Sequence, residues 1–232
     1  MPSLSDLAAA LAGPLDAARY AAEGDPSGVW LATERDVRRL GVRLDAGLPP
    51  YPWARDLDAV VVHRPFGLWP ARLPPGLGVL AYHRALDERL APGYDAAFAA
   101  ALGVALDPEP LWRDGRAVGQ IGTWAVPIAC SEAVARVEAC LGGSEAADGP
   151  EPTAVTRVAL AGAMTEALVE AAAERGAELY VTGQLRGPGR AALGRCGVRA
   201  LAVGQVRTET WGLRRLAGLV AAAFPDVEIV GV

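Results

Sequence analysis

The chain has 232 residues, a formal net charge of −5 from 22 basic and 27 acidic side chains, and only two histidines. That length suits one compact α/β domain or two small ones, with ample chain for a sizeable core. The mild acidity, without any basic cluster, gives nucleic-acid binding no electrostatic support, and no stretch reaches the roughly 18–20 apolar residues of a membrane span.

Three cysteines, Cys130, Cys140 and Cys196, form no close pair and no CxxC motif. Reduced, buried thiols are expected rather than a disulfide or zinc framework. The first residues, MPSLSDLAAALAGPLDAARYAAEGD, lack a basic n-region and carry Pro14 and two aspartates within the apolar run. That is not a secretory signal, and a cytoplasmic protein is expected.

The opening segment predicts a helix, with Ser3 or Ser5 as its cap and good helix formers behind it. SGVWLAT is a short strand candidate. VRRLGVRLDAG places Val37, Leu40, Val42 and Leu44 in a strand-like pattern. LPPYPWARDL is too proline-rich for a regular helix. DAVVV is a continuous apolar run, the mark of a strand buried on both faces. HRPFGLWPARLPPG reads as a loop, LGVLAY as a second buried strand, and YDAAFAAALGV as a helix ending near Gly103.

DPEPLWRDGRAVGQIG reads as a connection, and SEAVARVEACLGG as an amphipathic helix capped by Ser131 and stopped by Gly142. GSEAADGPEPT is a loop. Beyond it, four apolar strands (TRVALAG, AELYVTG, VRALAVG, VEIVGV) alternate with three helical segments, the last being TETWGLRRLAGLVAAAF. Such alternation predicts βαβ units and a largely parallel sheet. The expected architecture is α/β: two subdomains, residues 1–116 and 117–232, with mostly parallel or mixed sheets covered by helices and a metal-type cleft between them.

Chemistry is expected beyond the carboxyl ends of the strands. His63 follows DAVVV. His83 follows LGVLAY, with Asp87 four residues on. Gln184 follows LYVTG, and Gln205 follows ALAVG with Glu209 four residues on. Imidazole and carboxylate in those places suit a divalent ion with nitrogen and oxygen ligands. A structural reading stands beside this one. A histidine at a strand end often serves only as a hydrogen-bonded residue, and Asp87 and Glu209 could simply favour helix N-termini. No GxGxxG, GxxxxGK[ST] or GxSxG motif occurs.

The order of these pieces resembles the NIF-three-like family, whose members are often called GTP cyclohydrolase 1 type 2 homologues. The segments that carry the resemblance are VVVHRP, AYHRALD, GQIG, LAGAMTEALVEAAAERGAELYVTGQ, VGQVRTETWGL and the closing FPDVEIVGV. The resemblance implies a two-domain α/β protein that assembles as a toroidal hexamer and holds a pair of divalent metals. Its ligands would be two adjacent histidines, the aspartate of His-x-x-x-Asp, and the histidine and bridging glutamate of a C-terminal motif. Carried over, this chain keeps His63, Asp87 and Glu209, with His83 beside them. Arg64 stands for the second histidine, Gln205 for the C-terminal histidine, and Gln184 for the acidic residue after Thr-Gly. EGDPSGVW shows no Asp-Asn-x-Gly stretch, and the helix before the histidine strand is reduced to LPPYPWARDL.

Arginine cannot ligate a metal, because its guanidinium has no acceptor lone pair. Two outcomes follow. His63, Asp87 and Glu209 pool to hold one ion of zinc, manganese or iron; or no metal binds, and Arg64 pairs with Asp87 or Glu209 in the cation's place. The corresponding functions are a ring-forming, non-catalytic binding protein for an unidentified small ligand, or a metal-dependent hydrolase of a nucleotide-like or phosphorylated substrate. In the hydrolase the catalytic base is unassigned, and His83 is the nearest candidate.

Overall fold

The structure is a computed structural model that describes residues 1–231. Its contacts divide the chain into two compact units: Met1–Leu90 with the segment from Gly212 onward, and Ala91–Trp211. The alternation of elements in the sequence places the division at 116/117. Both units are α/β.

In the first unit, Ser3 caps helix α1 (Leu4–Ala12) through a capping box. The Asp6 backbone N–H donates to Ser3 Oγ at 3.2 Å, and Ser3 N–H donates to the Asp6 carboxylate at 2.8 Å. Helix α2 (Ala17–Ala22) leads to strand β1 (Ser27–Leu31), followed by β2 (Arg39–Asp45), β3 (Ala59–Arg64) and β4 (Gly78–Tyr82). The proline-rich stretch between β2 and β3 forms only a 3₁₀ turn, Pro52–Ala54. Helix α3 (Arg84–Arg89) follows β4.

The second unit begins with α4 (Ala96–Leu102), capped by Asp95, and continues with β5 (Ala105–Leu106), β6 (Leu111–Arg113) and β7 (Arg116–Ala129). Next come α5 (Cys130–Leu141), β8 (Ala146–Asp148), β9 (Ala154–Ala161), α6 (Glu166–Glu174), β10 (Leu179–Thr182), α7 (Gly187–Cys196) and β11 (Arg199–Ala202). Helix α8 (Gln205–Ala223) spans the division, and β12 (Glu228–Val230) closes the first unit.

The first sheet has the order β1-β4-β3-β2-β12, parallel except for β1. Alternation along β3 sends Ala59 and Val61 to one core and Val60 and Val62 to another. The first core is covered by helices, with Leu4, Leu7 and Leu11 of α1 and Leu213, Leu216 and Val220 of α8 all buried in it. The second is covered by the irregular segments around Tyr51, Leu68 and Leu73. Two buried faces explain why DAVVV is apolar without interruption.

The second sheet runs β5-β7-β9-β10-β11-β8, with β6 also on β7. Strands β9, β10 and β11 are parallel, as the alternation predicts. The fourth strand of that series departs from the expectation: VEIVGV pairs with β2 in the other sheet, because α8 carries the chain back to the first unit.

Two local readings are also corrected. The supposed connection at 107–122 holds β6 and the first half of the 14-residue β7, which pairs with β9 from Gly119 to Ala129 across a register break between Thr123 and Ile128. Strand β7 then runs straight into α5, whose N-cap is Ala129 and not Ser131. The α5 stop is as expected: Gly142 takes the left-handed conformation that an L side chain would resist.

Candidate metal centre

Parallel pairing of β3 with β4 aligns their carboxyl ends, so the residues that leave them are neighbours. His63 is the fifth residue of β3 and fully buried. Its Nδ1 lies 2.9 Å from the Tyr82 carbonyl oxygen at the end of β4. A carbonyl can only accept, so Nδ1 carries the proton and donates. In the neutral ring, Nε2 then presents a lone pair. Nε2 lies 3.5 Å from Asp87 Oδ1. Asp87 sits in the first turn of α3, where the helix dipole favours its negative charge.

That separation fits a shared ion. Two ligand atoms bound to one tetrahedral ion at ordinary metal–nitrogen and metal–oxygen lengths lie about 3.4 Å apart. A donor bond from the far ring nitrogen to a backbone carbonyl is also the usual support of a metal-binding imidazole, since it fixes tautomer and ring orientation.

His83, the residue after β4, is held by Asp25, which sequence reasoning missed. His83 Nδ1 lies 2.9 Å from Asp25 Oδ1, and Arg84 donates to the same carboxylate from its backbone N–H at 2.8 Å and its Nε at 3.1 Å. The His83 ring is 5.4 Å from that of His63 and stands edge-on to Phe66 at 5.0 Å. The signal for Asp25 was the Asp-Pro step in EGDPSG, a turn former placed just before β1.

Arg64 follows His63, so alternation starts its side chain from the opposite face of the sheet. In the register of β2 with β3 it is paired with Asp45, and its Nη1 lies 3.5 Å from Asp45 Oδ1.

In the second unit, Gln205 and Glu209 lie one turn apart on α8. Gln205 Nε2 donates to Glu209 Oε1 at 3.2 Å, and Glu209 is only 4% exposed. The helix begins at Gln205, a turn earlier than the sequence predicts, so Glu209 lies in the second turn. The dipole at the helix start, which fades beyond the first turn, therefore does not account for its burial. Gln205 is pressed against the backbone after β10: a Cβ on Gly183 would come 2.6 Å from Gln205 Oε1. Gln184, next to Gly183, is exposed at the strand's end.

The sequence profile of Duf34/NIF3 (NGG1p interacting factor 3) matches residues 71–232. The chain belongs to this family. A curated relative, a GTP cyclohydrolase 1 type 2 homolog from Allochromatium vinosum, is 27% identical over 228 residues, covering 90% of this chain and 88% of the relative. Among solved structures, the protein ybgI superposes with a TM-score of 0.77 at 20% identity, covering 100% of this chain and 98% of that one. TTHA1606 from Thermus thermophilus gives 0.74 at 22% identity, covering 99% and 97%. At those identities the two structures establish the NIF3 fold alone.

Proposed function

We propose that this NIF3-family chain holds a single divalent ion through His63, Asp87 and Glu209 and acts as a homo-oligomeric binding protein, assembled as a hexameric ring, rather than as a dinuclear hydrolase. The observation that carries the reading is the buried His63, whose proton is committed to the Tyr82 carbonyl while Nε2 faces the Asp87 carboxylate. Glu209, the further ligand that the family resemblance implies, would complete a set of one imidazole nitrogen and two carboxylates. The absence of thiolate from that set suits zinc, manganese or iron(II). Bound there, the ion supplies Lewis acidity.

Arg64 and Gln205 occupy the places where the family resemblance calls for two further histidines. Neither side chain restores an imidazole: the guanidinium has no lone pair, and the Gln205 amide donates its N–H to Glu209. The loss of two imidazoles supports a binding role over a dinuclear mechanism. The test is metal affinity, measured by competition with a chromophoric chelator, in the parent and in Asp87→Asn. Equal affinities would reject the site.

A hydrolase is the second reading, favoured by the His83–Asp25 pair. An imidazole oriented by a carboxylate is fit for proton transfer, and the curated relative carries a cyclohydrolase name. Chelator-sensitive hydrolysis of GTP that is lost in His83→Gln would establish it over the binding role.

A further inference from the structure

A cavity of about 260 Å³ opens in the second unit, beyond the carboxyl ends of β9 and β10. Its walls come from the loops after those strands, from Arg113 at the end of β6, and from Gln205 at the start of α8. We infer that this cavity binds the phosphoryl group of a small phosphorylated molecule.

The charge of the walls selects the ligand. Arg113 and Arg186 both line the cavity, together with the Gln184 and Gln205 amides and Thr182. No lining residue, among those described, is acidic. Arg113 pairs with Asp114 only at a long 3.7 Å, and that carboxylate is 89% exposed, which leaves most of the guanidinium charge for a ligand. Two arginines in the walls of one cavity suit a phosphoryl group, whose oxygens accept charge-assisted hydrogen bonds in pairs. Arg186 is also the N-cap of the ten-residue α7, so the positive end of that helix adds to the field.

The cavity is built into the packing. Met164 forms one wall, and Gly189 in α7 lets it sit there: a Cβ at 189 would meet Met164 Cγ at 2.6 Å. The volume is below the roughly 300–1,000 Å³ of sites that enclose a whole drug-sized ligand. It suits the phosphoryl end of a molecule whose remainder lies outside.

The cavity shares Gln205 with the proposed metal centre, where its amide donates to Glu209, so the test is made without metal to keep the two apart. The full chain, stripped with EDTA, is titrated by calorimetry with inorganic phosphate and with ribose 5-phosphate at constant ionic strength set by chloride. Saturable binding is expected for both, and tighter binding of the ester would identify an organic phosphate as the occupant. Arg186→Ala, at an exposed position, should weaken binding about tenfold, Arg113→Ala similarly, and Arg186→Lys less. Arg19→Ala, which removes an exposed arginine of the first unit outside the cavity, should leave phosphate binding unchanged. Non-saturable heats, or affinities the same in Arg186→Ala and Arg113→Ala as in the parent, would overturn the inference.

Discussion

The Nε2 of His63 lies 3.5 Å from Oδ1 of Asp87, across the carboxyl ends of two adjacent parallel strands. Strand pairing sets one partner and the start of α3 sets the other, so the relationship is fixed by backbone before any ligand arrives. Removing either side chain should therefore remove metal without unfolding the chain. His63→Ala and Asp87→Asn are each expected to lower metal affinity by about a hundredfold or more, beyond the effect of losing a supporting hydrogen bond alone. Chelator competition measures the affinity, and circular dichroism checks that the fold persists.

Restoring the missing histidines is the converse experiment. Arg64→His together with Gln205→His should raise the metal content above that of the parent. An unchanged content would mean that the backbone no longer supports a second position.

Gly183 tests how Glu209 is held. A methyl group at 183 collides with the Gln205 amide, which donates to Glu209. Gly183→Ala is expected to cost about 1–3 kcal/mol by overpacking, seen in urea denaturation, and to weaken metal binding as Gln205 shifts.

The return of α8 to the first unit rests on Leu213, Leu216 and Val220, which are at most 2% exposed. Leu216→Ala should destabilise the protein by about 2–5 kcal/mol. Denaturant unfolding reads this directly, and a loss well under 1 kcal/mol would mean that the helix is not anchored there.

Alkaline pH offers a further check. Burial, then the charge and hydrogen bond of Glu88, push the Tyr20 hydroxyl up to about 12 from an ordinary 10.0. Burial also raises Tyr180, whose hydroxyl donates to the Ala163 carbonyl at 2.6 Å. The unfolded chain releases these protons near pH 10 and the folded chain does not. The contribution is thus fully present below pH 10 and is lost as pH rises toward 12. Ultraviolet titration should show these two tyrosines ionising after an exposed tyrosine would, with stability falling over the same interval.

Much of the fold was legible because burial on two faces leaves uninterrupted apolar runs: DAVVV, LGVLAY, TRVALAG and AELYVTG are all strands. Strand β7 was not legible. Its residues alternate weakly, and Gly119 and Gly122 read as loop signals. Yet Gly119 is there because a side chain would strike the Leu160 carbonyl at 2.5 Å on the neighbouring strand. Which sheet receives VEIVGV is a tertiary choice that no local pattern records. At the site, His63, Asp87 and Glu209 stood out as scarce or charged residues at element ends. Asp25 did not, since its role as the support of His83 exists only once β1 pairs with β4.

The most direct test is metal stoichiometry by elemental mass spectrometry, on tag-free full-length protein exposed to zinc, manganese or iron(II) and then desalted. A single ion per chain is expected, lost in Asp87→Asn. A folded parent that retains no ion, or one that retains two, would contradict it.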